Sequence, residues 1–320
     1  MDYPILNEFQ TPLNDEFFAD MPQECQQQFW EFFNQVPFIR WCVDKDRPHA
    51  KDLKRDDKNR IIVDVAHPHI LEDMEYFTPV ANHYRKYGCY TFLKPNANKN
   101  SEFGRWIREE TRRCWEGYVR ESDGEWITGY MYFYMNYVRI ELTKAKKGSK
   151  KGSRVEDFPS WWEGAYLWFH YVDQARNGGL YNNWQGGQNG AQLAKRGAGK
   201  SYTLASILAH DFILGENYET REGRVMSVLA AYSKEYLAGK DGCLDKFKII
   251  IDWCAENMQW PSIRMKDSDN DMIWKMGYKD KDTGTAKGTL NTVVGVSVKD
   301  DIAKVRGKRA CHYAIEEFNS

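Results

Sequence analysis

The sequence has no run of about 18 apolar residues, so it contains no segment suited to cross a bilayer as a helix. Its opening, MDYPILNEFQ, lacks the basic and apolar regions of a secretory signal, which points to a cytoplasmic protein. There is no excess of either charge. Forty-five Lys and Arg stand against 46 Asp and Glu, a formal net charge of −1, which excludes a globally basic nucleic-acid coat but permits local basic patches. The seven cysteines form no CxxC pair and are odd in number, which argues against a zinc site or a disulfide framework and for reduced, mostly buried thiols. No internal repeat is found.

What is present is hydrophobic and aromatic substance, 42% and 15% of 320 residues, enough for a sizeable core and more than one domain. The first 40 residues are rich in Phe, Gln and Trp, with an amphipathic helix expected over Gln26 to Phe33. Residues 44–60 are charge-dense and read as an exposed loop before a strand at Arg60 to Val65. His67 and His69 flank Pro68 without a third ligand at zinc-like spacing and read as loop histidines. From Ser101, an N-cap residue, SEFGRWIREETRRCWEGYVRE has helical spacing, with Phe103, Ile107, Cys114 and Tyr118 on one face and a turn at 122–125. WITGYMYFYMNYVRI follows, apolar enough to be buried on nearly every side. Lys144, Lys146, Lys147, Lys150, Lys151 and Arg154 are interleaved with Gly and Ser and read as a flexible basic linker at about 143–155, with phosphate contact as the alternative. Trp161, Trp162, Tyr166, Trp168 and Phe169 read as helical packing rather than a base-stacking platform.

Beyond the linker, strand and helix patterns alternate as in an α/β domain. Strands are expected at 190–193, 224–230, 291–298 and 311–315, and helices at 202–214 and 241–258, the latter with Leu244, Phe247, Ile250, Ile251 and Cys254 at core spacing. Between the first strand and helix lies Ala194-Lys-Arg-Gly-Ala-Gly-Lys-Ser201, a phosphate-binding loop in which alanine stands at the usual first glycine. Gly197, Ala198 and Gly199 allow backbone N–H groups to turn onto phosphates, and the helix N-terminus favours negative charge. Lys200 is placed to reach the β- and γ-phosphates and Ser201 to coordinate Mg²⁺. His312-Tyr-Ala-Ile-Glu-Glu317 is an apolar strand ending in carboxylates, with Glu316 expected to support Mg²⁺ and Glu317 to polarise the attacking water. Arg196 lies four residues before Lys200, where a guanidinium can fold over the γ-phosphate. Arg306, Lys308 and Arg309 are candidates for charge supplied to a neighbouring subunit. The fold expected is α/β, a P-loop NTPase of the additional-strand type with a mostly parallel sheet flanked by helices (156–320), preceded by a helical, aromatic-rich region with its basic linker (1–155).

With these motifs in place the chain resembles the large terminase subunit of tailed bacteriophages. The likeness rests on KRGAGKS, with arginine four residues before the lysine, and on VRGKRACHYAIEEF; DGEWITGYMYFYMNYVRI and DFPSWWEGAYLWFHYVDQARNGG are similar to segments that precede the motor in that family. The resemblance implies an ATP- and Mg²⁺-dependent motor that moves double-stranded DNA through a portal into a procapsid. It also implies a pentameric ring, a small terminase subunit as partner and a place in the host cytoplasm at the portal vertex. It makes Arg196 a cis-acting arginine and Glu317 the catalytic glutamate. Glu316 stands where the family usually has aspartate, one methylene shorter. Gln185 and Gln188 are candidates for the adenine contact. Family members continue past this point with a coupling motif and a nuclease, so the P-loop fold is expected to be truncated here and nuclease activity absent. The rival expectations are another P-loop DNA translocase or helicase, and a catalytically silent nucleotide-binding scaffold.

Overall fold

The computed structural model describes residues 78–119, 126–144, 153–159, 163–177, 190, 192, 199–215, 225–258, 260, 271–299, 302–305 and 310–316. The chain forms two compact units, one made of residues 1–74, 121–125 and 163–192, the other of 75–120, 126–162 and 193–320. The sequence boundary expected near residue 155 falls inside a paired strand of the second unit. The helix expected over Gln26 to Phe33, the strand at Arg60 to Val65, and His67 and His69 lie outside the described residues. No helix among the described residues is long and apolar enough to cross a membrane.

In the second unit, helix α1 (Pro79–Tyr87) begins with proline at its first position and ends at Gly88, whose φ of 69° closes the last turn. Helix α2 (Glu102–Glu116) starts as its sequence signal predicts, with the Ser101 hydroxyl accepting the Gly104 N–H. It stops one residue before Gly117, whose φ of 87° turns the chain into the short strands β1 (Tyr118–Val119) and β2 (Trp126–Ile127). Tyr118, expected on the helix face, is therefore a strand residue. Helix α3 (Gly129–Tyr137), capped by the Thr128 hydroxyl, is buried at every position, in keeping with a run of tyrosine, phenylalanine and methionine that leaves no charged face.

Strands β3 (Ile140–Lys144) and β4 (Ser153–Asp157) pair antiparallel, with Lys144 opposite Ser153 and Thr143 opposite Arg154. Lys144 and Arg154 thus belong to a ladder rather than to a flexible linker. In the first unit, helix α4 (Glu163–Asn177) buries Tyr166 and Phe169, while Trp168 stacks on Tyr171 at 5.5 Å. Trp161 and Trp162 lie outside the described residues.

Helix α5 (Lys200–Leu214) leads, within the second unit, to strand β5 (Met226–Ala231), short helix α6 (Lys234–Ala238) and helix α7 (Cys243–Met258). Strands β6 (Ile273–Lys275), β7 (Tyr278–Lys279), β8 (Ala286–Lys287), β9 (Thr292–Ser297) and, after a 3₁₀ turn at Ile302–Val305, β10 (His312–Glu316) follow. Four of these strands form a mixed sheet in the order β10-β5-β9-β6. Its first three strands run parallel and β6 runs antiparallel to β9. The molecule is therefore mixed α/β. β5 is central, and Val228, Leu229, Ala230 and Ala231 are buried in succession, as a strand covered on both faces requires. Leu208 and Phe212 of α5 and Phe247, Ile250 and Ile251 of α7 contribute buried side chains to this core, with Phe212–Phe247 and Phe247–Trp274 ring pairs edge-on at 5.3 and 5.5 Å. Asn291 ties helix to sheet: its amide donates to the Phe212 carbonyl at 2.9 Å and its oxygen accepts the Val225 N–H at 3.1 Å.

Glu110 on α2 is buried, and its Oε2 accepts the hydroxyls of Tyr132 (2.8 Å) and Tyr137 (2.6 Å) from α3. Burial disfavours the charged form and outweighs these bonds, so the carboxyl is pushed above the ordinary glutamate range. A group that binds its proton more tightly folded than unfolded contributes stability below its unfolded pKa and loses it as pH rises through the folded pKa. Urea titrations are therefore expected to show the wild type losing stability relative to Glu110→Gln as pH climbs above about 4.3, the ordinary glutamate value. The gap should become constant once the folded carboxyl has ionised, and a gap that does not change with pH would refute the assignment. Neighbouring Glu109 has the opposite sign: Arg112, then Arg113, hold it down at about 2, and its small, solvent-screened contribution is lost as pH falls toward that value.

Candidate functional site

Helix α5 begins where the phosphate-binding loop ends. Gly199 precedes it with φ 79°, in the left-handed region that glycine enters without strain. The Gly199 carbonyl accepts the N–H groups of Tyr202 and Thr203, both at 3.0 Å. The first N–H groups of a helix have no partner within it, and they carry the positive end of the helix dipole. Among the described residues, Tyr134 of α3 comes nearest to the face of Gly199, its hydroxyl 4.0 Å from where a Cβ would stand.

β10, β5 and β9 all run the same way, so Glu316, Ala231 and Ser297 reach one edge of the sheet together. That carboxyl edge is where open α/β sheets form their ligand crevices. There the Ser201 hydroxyl donates a short hydrogen bond to Glu316 Oε1 across 115 residues of sequence. The two oxygens predicted to serve one Mg²⁺ are thus neighbours, a hydroxyl and a carboxylate being a hard-oxygen pair of the kind that ion takes. Ser201 is also held from behind, its carbonyl facing the Cys243 thiol at 3.8 Å where α7 begins. Burial, and then the nearby Glu316 charge, push that thiol well above the ordinary cysteine range, so it stays protonated and inert.

The following turns of α5 are equally tied. The Tyr202 hydroxyl accepts the Glu141 N–H of β3 at 3.1 Å and its ring lies under the Lys246 ammonium at 5.4 Å. Thr203, fully buried, donates to the Lys200 carbonyl at 2.8 Å. Near the far end of the helix, buried Asp211 accepts from the Tyr130 hydroxyl at 3.2 Å and lies 2.9 Å from His210 Nδ1, whose Nε2 faces the Cys114 carbonyl of α2 at 2.6 Å. Asp211 Oδ2 approaches His312 Nε2, at the start of β10, to 3.3 Å, the distance of an ion-pair contact without the alignment of a hydrogen bond.

Among the residues singled out from sequence, Gly199, Lys200, Ser201 and Glu316 are therefore described, and Ser201 and Glu316 are in contact. Arg196, Gly197, Ala198, Glu317, Arg306, Lys308, Arg309, Gln185 and Gln188 lie outside the described residues; of the strand expected at 190–193 only Gly190 and Gln192 are described, and neither belongs to a strand. Sequence reading missed Tyr134, Asp211 and Cys243 as companions of the site. An aspartate in the last turn of an apolar helix has no local signature of its partners. Comparison with protein-family models, with curated proteins and with solved structures gives no match to this chain.

Proposed function

We propose that this chain is a P-loop ATPase. Within that class, the reading we favour is the motor of a viral DNA-packaging terminase, which couples ATP hydrolysis to movement of double-stranded DNA through a portal. The observation that supports the enzyme class is the Ser201–Glu316 contact, where a loop-helix hydroxyl and a strand-end carboxylate meet at the carboxyl edge of the sheet's three parallel strands. The narrower reading rests on the sequence resemblance, with Arg196 before the loop lysine and Arg306 and Arg309 before the acidic strand.

In this reading MgATP is the substrate. Lys200 binds the β- and γ-phosphates, while Ser201 and Glu316 hold the magnesium side of the substrate. Glu317 orients a water for attack on the γ-phosphorus and takes up its proton. The bond to the β-phosphate oxygen breaks, and ADP and phosphate leave. Arg196 neutralises charge that grows on the γ-phosphoryl group, and in a ring Arg306 or Arg309 supplies charge to the neighbouring subunit.

Calorimetric titration with MgATP tests the class. Lys200→Ala removes a cation from several phosphate oxygens, and each lost charge-assisted bond costs about 1.5–3 kcal/mol. Affinity is expected to fall about 10- to 150-fold. Equal affinity in the two proteins would remove the nucleotide site. Turnover that fails to rise when portal and duplex DNA are added would leave an ATPase and remove the packaging motor.

A further inference from the structure

From Pro79 to Ser101 the chain contains no aspartate or glutamate, yet it carries Arg85, Lys86, Lys94 and Lys99. Lys86, Lys94 and Lys99 are exposed. Arg85 is engaged by Asn82, by Asp157 at 3.5 Å and by the Phe158 ring. The same stretch buries Tyr90 but displays two aromatic side chains outward, Tyr87 and Phe92. Gly88 turns the chain at the end of α1, and Phe92 comes back against His83 and Tyr87, with ring centroids 4.8 and 4.9 Å apart. His83 donates through Nδ1 to the Cys89 carbonyl at 2.8 Å, which fixes its ring as the foot of the cluster. Phe92 is nevertheless 70% exposed and Tyr87 47%.

Beside the rings, the connection to α2 is ordered by its own asparagines. The Asn98 N–H bonds to the Asn96 side chain at 2.8 Å, and the Asn100 N–H to the Asn98 side chain at 2.9 Å. The lysines thus stand on a built turn. An exposed phenylalanine held edge-on by two other rings offers a π-face, and the stretch of chain that carries it has lysines and an arginine but no acid of its own, the nearby Asp157 being engaged by Arg85. Three classes of partner fit parts of this surface. An apolar protein would use the rings and leave the lysines, and an acidic peptide would use the lysines and leave the rings. A duplex keeps its base faces covered by one another. Single-stranded nucleic acid uses both features, stacking bases on the rings and setting phosphates on the cations.

We propose that the end of α1 and residues 88–101 form a binding surface for single-stranded nucleic acid, with Phe92 and Tyr87 stacking on bases and Lys86, Lys94 and Lys99 meeting phosphates. Nothing in this surface requires nucleotide hydrolysis, so it stands or falls apart from the ATPase reading.

The test is fluorescence anisotropy of the full chain, without nucleotide, with a labelled oligothymidylate on the order of 20 nucleotides, a length exceeding the site size of one single-strand-binding module. The plot of log K against log salt has a slope of about −0.7 per phosphate contact for single strands. The Lys94→Glu, Lys99→Glu double variant is expected to flatten that slope by at least about 1.4. Phe92→Ala should weaken binding about 5- to 150-fold at every salt concentration while leaving the slope unchanged. Phe92→Leu keeps the apolar bulk against His83 and Tyr87 but removes the π-face, and should lose comparable affinity with an unaltered melting temperature. The proposal is overturned if the wild type does not bind the oligomer, if Phe92→Leu binds as tightly as wild type, or if a duplex of equal length competes equally well.

Discussion

Replacing Glu316 by glutamine is expected to weaken MgATP binding about 10- to 150-fold, the equivalent of one charge-assisted bond of roughly 1.5–3 kcal/mol, and to leave metal-free ATP binding almost unchanged. The expectation follows from the contact with Ser201, which brings the two oxygens close enough to serve one cation. If they do so, their effects cannot be independent. Ser201→Ala alone should also weaken MgATP, and the double variant should be weaker than either by less than the sum, with a coupling of about 0.5–3 kcal/mol. Calorimetry with and without chelator supplies all eight values. Strict additivity, or equal losses with and without Mg²⁺, would mean that the contact merely packs helix against strand.

A larger loss is expected at the next residue. Glu317→Gln should bind MgATP as the wild type does and hydrolyse it about 10²- to 10⁴-fold more slowly, the range that a general base contributes. Successive side chains of a strand point to opposite faces, and Glu316 at the end of β10 is turned toward Ser201. From that alternation alone, the residue after it in sequence is expected on the other side, where a carboxylate can address the water instead. Glutamine keeps the size and hydrogen bonding of the side chain but removes its charge. Steady-state phosphate release and ATP affinity, measured on the same preparations, distinguish the two glutamates. If Glu316→Gln proves to be the tight-binding, inactive variant, the two roles are reversed.

Much of the fold could be read from periodicity. The Ser101 cap and the spacing of Phe103 and Cys114 announce α2, the aromatic-rich run announces the burial of α3 though not its helical form, and Leu244, Phe247, Ile250, Ile251 and Cys254 mark the buried side of α7. β5, β9 and β10 fall within a residue or two of where their apolar runs place them. The short strand Ile273–Lys275 escaped because three residues show no period. The β3–β4 pairing was obscured because lysine and serine are poor strand formers individually, yet Lys144 and Ser153 pair across it at the end where the two strands are nearest in sequence. The order β10-β5-β9-β6 has no local signature either, since it depends on which apolar faces cover one another. That order decides the site: Ser201 and Glu316 are each legible as parts of short motifs, but their contact exists only because β10 runs parallel to β5 at the edge of the four described strands.

Helix α5 and strand β10 touch at both ends, Ser201 with Glu316 and Asp211 with His312. Ten residues of helix rise about 15 Å. Four residues of strand rise about 13 Å. A strut and a rail of nearly equal length therefore meet at both ends, held by a hydrogen bond at the Ser201 end and by a looser contact at the Asp211 end, and sliding one past the other would disturb both. The Asp211 end is in turn tied through His210 to the Cys114 carbonyl of α2. Opening the Ser201–Glu316 junction would break the hydrogen bond at one end and leave the Asp211–His312 contact at the other, so helix and strand would part first at the site and stay together where β10 begins.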